Sequence, residues 1–227
     1  MIAPTARRRE VVPAPRKGEV MFDIKGLVDI SDKLGIIETV KAKLIRQPDP
    51  AAAKLQAALD EISKIYLVFE QELVRYLSLT LEPSELASER PVLLELEGGQ
   101  IAARMGAARG HCSKIGNIFT RYLSPWFQRL FANSVLSNDE ITSMNKLFME
   151  LSDTDGKMLD LIDEVAGWLS QEASAVSDLA DKGEVAAAQT RLAQARKDVL
   201  PARRAMSEAM RHIYDVEATF VAASGAV

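Results

Sequence analysis

The chain has 227 residues, 48% hydrophobic and 26% charged, with a formal net charge of −4. That balance belongs to a folded globular protein and excludes a disordered tail or a membrane-embedded chain, and a single cysteine excludes both an internal disulfide framework and the four-cysteine zinc sites. Aromatics make up only 6%, and Ala, Leu, Glu, Lys and Arg dominate, which points to helices and away from a sandwich or barrel.

Residues 1–21 carry Pro4, Pro13 and Pro15 among Arg7, Arg8, Arg9, Arg16 and Lys17, and read as a flexible basic tail rather than an amphipathic targeting helix. No secretory pattern opens the chain, and the longest uncharged stretch runs only from Ala218 to Val227, so a cytoplasmic setting is expected. Residues 22–227 are expected to form one helical-bundle domain.

From Phe22 to Arg46 the apolar positions Ile24, Leu27, Val28, Ile30, Leu34, Ile37, Val40 and Leu44 recur at threes and fours, a helical period that Pro48 and Pro50 end. A second helix is predicted from Ala51 to Leu81, with Leu55, Leu59, Ile62, Tyr66, Phe69, Leu73 and Tyr76 on one stripe and Pro83 closing it. A third, Val92 to Leu123, shows two faces. Ile101, Met105, Ala108, Cys112, Ile115, Phe119 and Tyr122 form a large apolar face, on which Cys112 is a small core residue. Gly99, Ala103, Gly106, Gly110 and Ser113 form a small-residue face suited to close approach by another helix.

Ser137 and Glu140 have the spacing of a capping box. From there a heptad pattern runs from Ile141 to Leu179, interrupted at Asp155 and Glu172, and turns around Asp181, Lys182 and Gly183. The return carries Val185, Leu192, Val199, Met206, Ile213 and Phe220 at sevens, with Ala188, Ala195, Ala202, Ala209 and Val216 on the second seam. The expected fold is therefore all-α: an elongated helical bundle ending in a long antiparallel helical hairpin over 137–223, kinked near Val199 by Pro201. In that hairpin Asp155 would sit opposite Arg211 or His212, and the unsatisfied face of such a hairpin is suited to a homodimer.

No metal site is expected. Neither His111 nor His212 has a Glu three residues before it, as a ferritin-like di-iron site needs. Asp153, Asp155 and Gly156 resemble the middle of a calcium loop, but Leu151 and Ile162 occupy its first and last ligand positions. There is no phosphate-binding glycine loop and no nucleophile elbow, so no cofactor is expected.

Charge placement is more informative. Between Gly98 and Asn138 there is no acidic residue, while Arg104, Arg109, Lys114, Arg121 and Arg129 supply five cations. The same stretch holds Ser124 to Phe131, where Ser124 and Pro125 can open a short helix bearing Trp126, Phe127, Leu130 and Phe131. Aromatic anchors beside arginines are what docking surfaces concentrate. The expectation is a non-enzymatic interaction or scaffold protein that docks an acidic protein partner through 98–138, with Arg104, Arg109, Lys114, Arg121 and Arg129 steering and Trp126, Phe127 and Phe131 anchoring. An anionic membrane surface is a second partner class for the 124–131 helix. Nucleic acid is disfavoured, since five charges are few for a groove in an otherwise acidic chain.

His111 opens an enzymatic alternative. His111-Cys112-Ser113-Lys114 resembles the core of histidine phosphotransfer domains, with Ile115 where that family carries glycine, and the resemblance implies a phosphoryl-accepting His111 with Lys114 neutralising the incoming charge. Arg104 followed by His111 is similar to the arginine–histidine signature of HEPN-type ribonucleases, with Met105 in place of the polar residue usual after the arginine; that resemblance implies a pair facing a scissile phosphate across a dimer. The bland reading of His111 is a solvated residue on a polar stripe with Gln100, Arg104 and Lys114.

Overall fold

The computed structural model describes residues 24–46, 49–97, 100–153 and 155–224; the basic tail expected over 1–21 lies outside them, as do Gly98, Gly99 and Thr154. The chain is all-α: α1 (Ile24–Ile45), α2 (Ala51–Leu77), α3 (Leu86–Glu97), α4 (Gln100–Ile118), a π-helical turn (Phe119–Leu123), α5 (Ser124–Ala132), α6 (Asn138–Leu151), α7 (Lys157–Asp181) and α8 (Val185–Ser224). One contiguous apolar core runs from Leu27 on α1 to Phe220 on α8.

Charged contacts fix the helix directions. Arg104 meets Glu72 and His111 meets Glu61, so α4 runs antiparallel to α2. Arg90 pairs with Asp181, and Ser170 donates to the Glu97 carbonyl at 3.2 Å, which sets α3 antiparallel to α7. Lys33 reaches Glu150 at 2.7 Å and Lys43 reaches Glu140 at 2.8 Å, which sets α1 antiparallel to α6. Arg203 pairs with Glu70, and the Arg196 guanidinium donates to the carbonyls of Leu77 and Leu79 at 2.9 and 2.5 Å. A cation on the last carbonyls of α2 satisfies acceptors that have no partner within the helix, and it sets α8 antiparallel to α2.

The second predicted helix ends at Leu77 instead of Leu81, because the Glu89 carboxylate accepts from the Thr80 and Leu81 amides and holds the chain in a turn in which Leu81 has φ 57. The predicted third helix resolves into α3, α4, the π turn and α5. Its small-residue face takes no neighbouring helix: Ala103 and Gly110 are exposed, and a Cβ added at Gly106 or Gly110 would meet nothing within 4 Å. The close approach falls beyond that face, one turn past Ser113 at Gly116, where an added Cβ would lie 2.7 Å from an Asp153 carboxylate oxygen.

The Ser137 capping box forms as the spacing predicts, with the hydroxyl accepting from the Glu140 amide and the Glu140 carboxylate accepting from the Ser137 amide. The first arm of the expected hairpin, however, is two helices. The heptad pattern passes through 152–156, where Gly156 takes φ 75, a left-handed conformation that ends α6 and starts α7. Glu150, nearly fully buried, anchors this break by receiving Lys33 at 2.7 Å and Lys157 at 3.6 Å. α8 runs unbroken through Pro201 over 40 residues, about 60 Å at 1.5 Å per residue. Its alanine seam is buried at Ala188, Ala195, Ala202 and Ala209, and it packs on α1, α2 and α7 together, most extensively on α1. His212 consequently pairs with Glu38 of α1, and Asp155 is exposed.

Candidate functional site

The apolar stripe of α4 is buried as its spacing predicts, at Ile101, Met105, Ala108, Cys112 and Ile115. Burial pushes the Cys112 thiol up to about 12, with the Asp153 charge adding to it, so this sulfur is a small core side chain and not a nucleophile. After Phe119 the helix widens, and the Ser124 amide donates to the Phe119 carbonyl, five residues back. Pro125 follows directly; it has no amide to donate, and its ring disfavours a regular turn beneath it. More than four residues occupy that turn, so the position one turn beyond Phe119 is Leu123, which is fully buried, and Tyr122 is rotated outward to 44% exposure. Tyr122 is therefore off the apolar face on which the α-helical period places it.

The same widened turn delivers Trp126 and Phe127 into the core, both at 0% exposure. Their rings lie 5.7 Å apart, Phe127 is 6.0 Å from Phe148, and Phe148 stacks on Phe119 at 5.7 Å. These two residues, expected as exposed anchors, plug the interior between α5 and α6. Of the expected anchors only Phe131 stands outside, at 41% exposure.

The acid-free segment is matched in space by acids from α2, from α7 and from the connection that precedes α2. Arg104 lies 2.7 Å from Glu72, Arg109 pairs with Asp163, Lys114 lies 3.3 Å from Glu61 and Arg129 lies 2.9 Å from Asp49. Arg121 alone of the five has no ion pair among the described residues. The pairs differ in burial. Arg104 and Glu72 are largely covered, whereas the side chains of Lys114 and Arg129 are 60% and 58% exposed. Tyr122 and Arg129 both face the start of α2, where Lys54 sits 5.0 Å over the Tyr122 ring and Asp49 accepts from the Ala51 amide as a helix cap.

His111 is half-buried rather than a member of a solvated stripe. Its Nδ1 lies 2.5 Å from Glu61, a carboxylate that Lys64 also contacts at 2.8 Å. Burial works against the charge on Glu61, and the hydrogen bonds from Lys64, His111 and Lys114 more than offset it, holding the carboxyl down at about 2. Glu61 and Glu72 stand eleven residues apart, three turns of α2, and Arg104 and His111 two turns apart on α4. The four therefore form two rungs across one helix seam rather than one constellation around a common point. The spacing of Glu61, Ile65, Glu72 and Tyr76 along α2 was the signal in the sequence for this second, partly charged stripe.

Among the described residues no group of three His, Cys, Asp or Glu side chains is placed to hold a metal ion, and no helix is long and apolar enough to cross a membrane. Fold and surface together define an all-α bundle whose acid-free segment turns Trp126 and Phe127 inward and leaves Tyr122 and Phe131 outside. Comparison with protein-family models, with curated proteins and with solved structures finds no match for the chain.

Proposed function

We propose that this is a non-enzymatic interaction protein that docks an acidic protein partner on the outer face of the segment 98–138. The observation that carries the reading is Tyr122, a large aromatic 44% exposed under the Lys54 ammonium and next to Arg121, which has no ion pair among the described residues, on a segment that contributes no acidic residue of its own. Phe131 adds a second exposed ring, and Trp126 and Phe127 support this face from beneath instead of contacting the partner. The pair Arg129–Asp49 does not remove this cation from play. An ion pair open to solvent is worth about 0–1 kcal/mol, so an incoming carboxylate can take Arg129 over at small cost, while Lys114, 60% exposed above the buried Glu61, adds to the positive field without leaving its partner. Aromatic contact then supplies affinity and the cations supply steering.

The test uses a fluorescein-labelled amphipathic peptide rich in Glu and Leu, read by anisotropy at low and high salt. Binding that weakens with salt and falls by at least about tenfold in Tyr122→Ala/Phe131→Ala, at unchanged helicity, supports the reading. Undiminished binding by that double variant, or binding only to anionic vesicles, contradicts it.

A further inference from the structure

Beside the π turn a cleft of about 210 Å³ opens between α4 and the end of α6, lined by Ser113, Gly116, Asn117, Thr120, Arg121 and Asp153. Ser113, Asn117, Thr120 and Arg121 share one face of the helix at spacings of three and four, and Asp153 projects over them from the segment that follows α6. The lining is built. Gly116 lets Asp153 lie against α4, since a Cβ there would come within 2.7 Å of one Asp153 oxygen and 3.3 Å of the Ser152 Cβ. Ser113 Oγ donates to the other Asp153 oxygen at 2.9 Å, and Asn117 Nδ2 donates to the Ser113 carbonyl at 2.9 Å.

The charges in this cleft are opposite and do not meet. Arg121 and Asp153 line the same space, yet neither forms an ion pair, with the other or with any described residue. Elsewhere along this segment the cations find an acid on another element, as Arg104, Arg109 and Lys114 do on neighbouring helices and Arg129 does at Asp49 just before α2. A simple anion entering the cleft would meet Asp153, and a simple cation would meet Arg121. A molecule carrying both charges at its two ends is complementary to the pair, with the guanidinium receiving a carboxylate in its planar fork and Asp153 receiving an ammonium. The remaining walls are hydroxyls, an amide and a glycine, with no large apolar side chain, so the ligand's own side chain must be no more than a hydrogen or a short polar group.

We infer that this cleft binds a small zwitterionic amino acid of the serine or glycine class, with its carboxylate on Arg121 and Thr120 and its ammonium on Asp153. Arg121 is shared with the proposed docking face, but the ligand pocket stands whether or not that face docks a protein, because Tyr122 and Phe131 do not line it.

Proton–nitrogen NMR of the full chain titrated with L-serine tests this directly. Saturable shifts are expected at the amides of Ser113, Thr120 and Asp153. N-acetylserine, which lacks the ammonium, and serinamide, which lacks the carboxylate, should each bind at least about tenfold more weakly. Asp153→Asn should erase the preference for serine over N-acetylserine, and Arg121→Gln the preference for serine over serinamide. Both residues are exposed, so both variants should keep the wild-type Tm; if either does not, the two analogues on the wild-type protein still decide. No saturable shift with serine or glycine, equal binding of all three compounds, or equal binding of acetate would overturn the inference.

Discussion

Tyr122 and Trp126 stand four residues apart on one helical run, yet Tyr122 is 44% exposed and Trp126 is fully buried. On a regular α-helix residues at that spacing share a face. The π turn over Phe119–Leu123 takes in an extra residue before Pro125, so the apolar stripe passes from Phe119 through Leu123 to Trp126, Phe127 and Leu130 and leaves Tyr122 outside it. The contrast extends to charge: beneath this face Glu61 and Glu72 are covered and paired, and upon it Arg121, Lys114 and Arg129 remain within reach of solvent. Charge and aromaticity counted along a sequence therefore name the residues of a surface without saying which side of the backbone they occupy.

Replacing the inner ring should cost most. Trp126→Ala is expected to destabilise the fold by about 3–5 kcal/mol, the usual range for truncating a buried large aromatic, read as a lower denaturation midpoint at unchanged slope. Trp126→Phe should be far milder, because the indole N–H has no acceptor among the described side chains and its removal leaves no donor unsatisfied. A Trp126→Ala variant as stable as wild type would remove the distinction between the two faces.

How much of this was legible beforehand depended on range. The apolar stripes of α1, α2 and α4, the Ser137 cap and the buried alanine seam of α8 rest on local periodicity or on contacts three residues apart, and each formed. The end of α2 depends on Glu89 and Arg196 reaching back from distant positions, which no local pattern encodes. The α6–α7 break hides inside a heptad pattern that stays in phase across it; Gly156 beside Asp155 was the visible cue, but its φ of 75 is a tertiary outcome. The partner of α8 was not legible at all, since an alanine seam asks for close approach without naming the helix that supplies it. In the candidate site, the five cations were identifiable from sequence and the acids that pair with four of them were not, because Glu61, Glu72, Asp49 and Asp163 arrive from distant parts of the chain.

A second way to sharpen the contrast is to remove a covered acid. Glu61→Gln strips the α2–α4 seam of its contacts to Lys64, His111 and Lys114 and should cost about 1–3 kcal/mol at neutral pH. Because the folded carboxyl is held at about 2 against an ordinary 4.5, its stabilisation is fully present above about pH 4.5 and is lost as pH falls toward 2. Wild type should therefore lose stability through that window more steeply than Glu61→Gln in urea melts at stepped pH, and parallel profiles would show that the seam does not hold the charge.

The α6–α7 break offers a smaller effect. Gly156→Ala forces a side chain into the left-handed region and should cost about 1–2 kcal/mol, although nothing lies within 4 Å of the added Cβ. An unchanged Tm would mean that the segment relaxes to another conformation. Smallest of all, Tyr122→Ala should cost no more than about 1 kcal/mol in the same urea assay, the scale of an exposed cation–π contact such as the one Lys54 makes with its ring, while still weakening the acidic peptide. A loss of several kcal/mol there would place Tyr122 in the core and reverse the assignment of the two faces.

The most direct measurement is the emission of Trp126 in the full chain carrying Trp168→Phe, a substitution that keeps an aromatic ring beside Tyr76. A blue-shifted spectrum, little quenched by iodide or acrylamide and unchanged when the acidic peptide binds, is the result expected of an indole sealed between α5 and α6. A red-shifted spectrum that both quenchers reach, or one that responds to the peptide, would put Trp126 on the surface and contradict the division of this segment into an inner and an outer face.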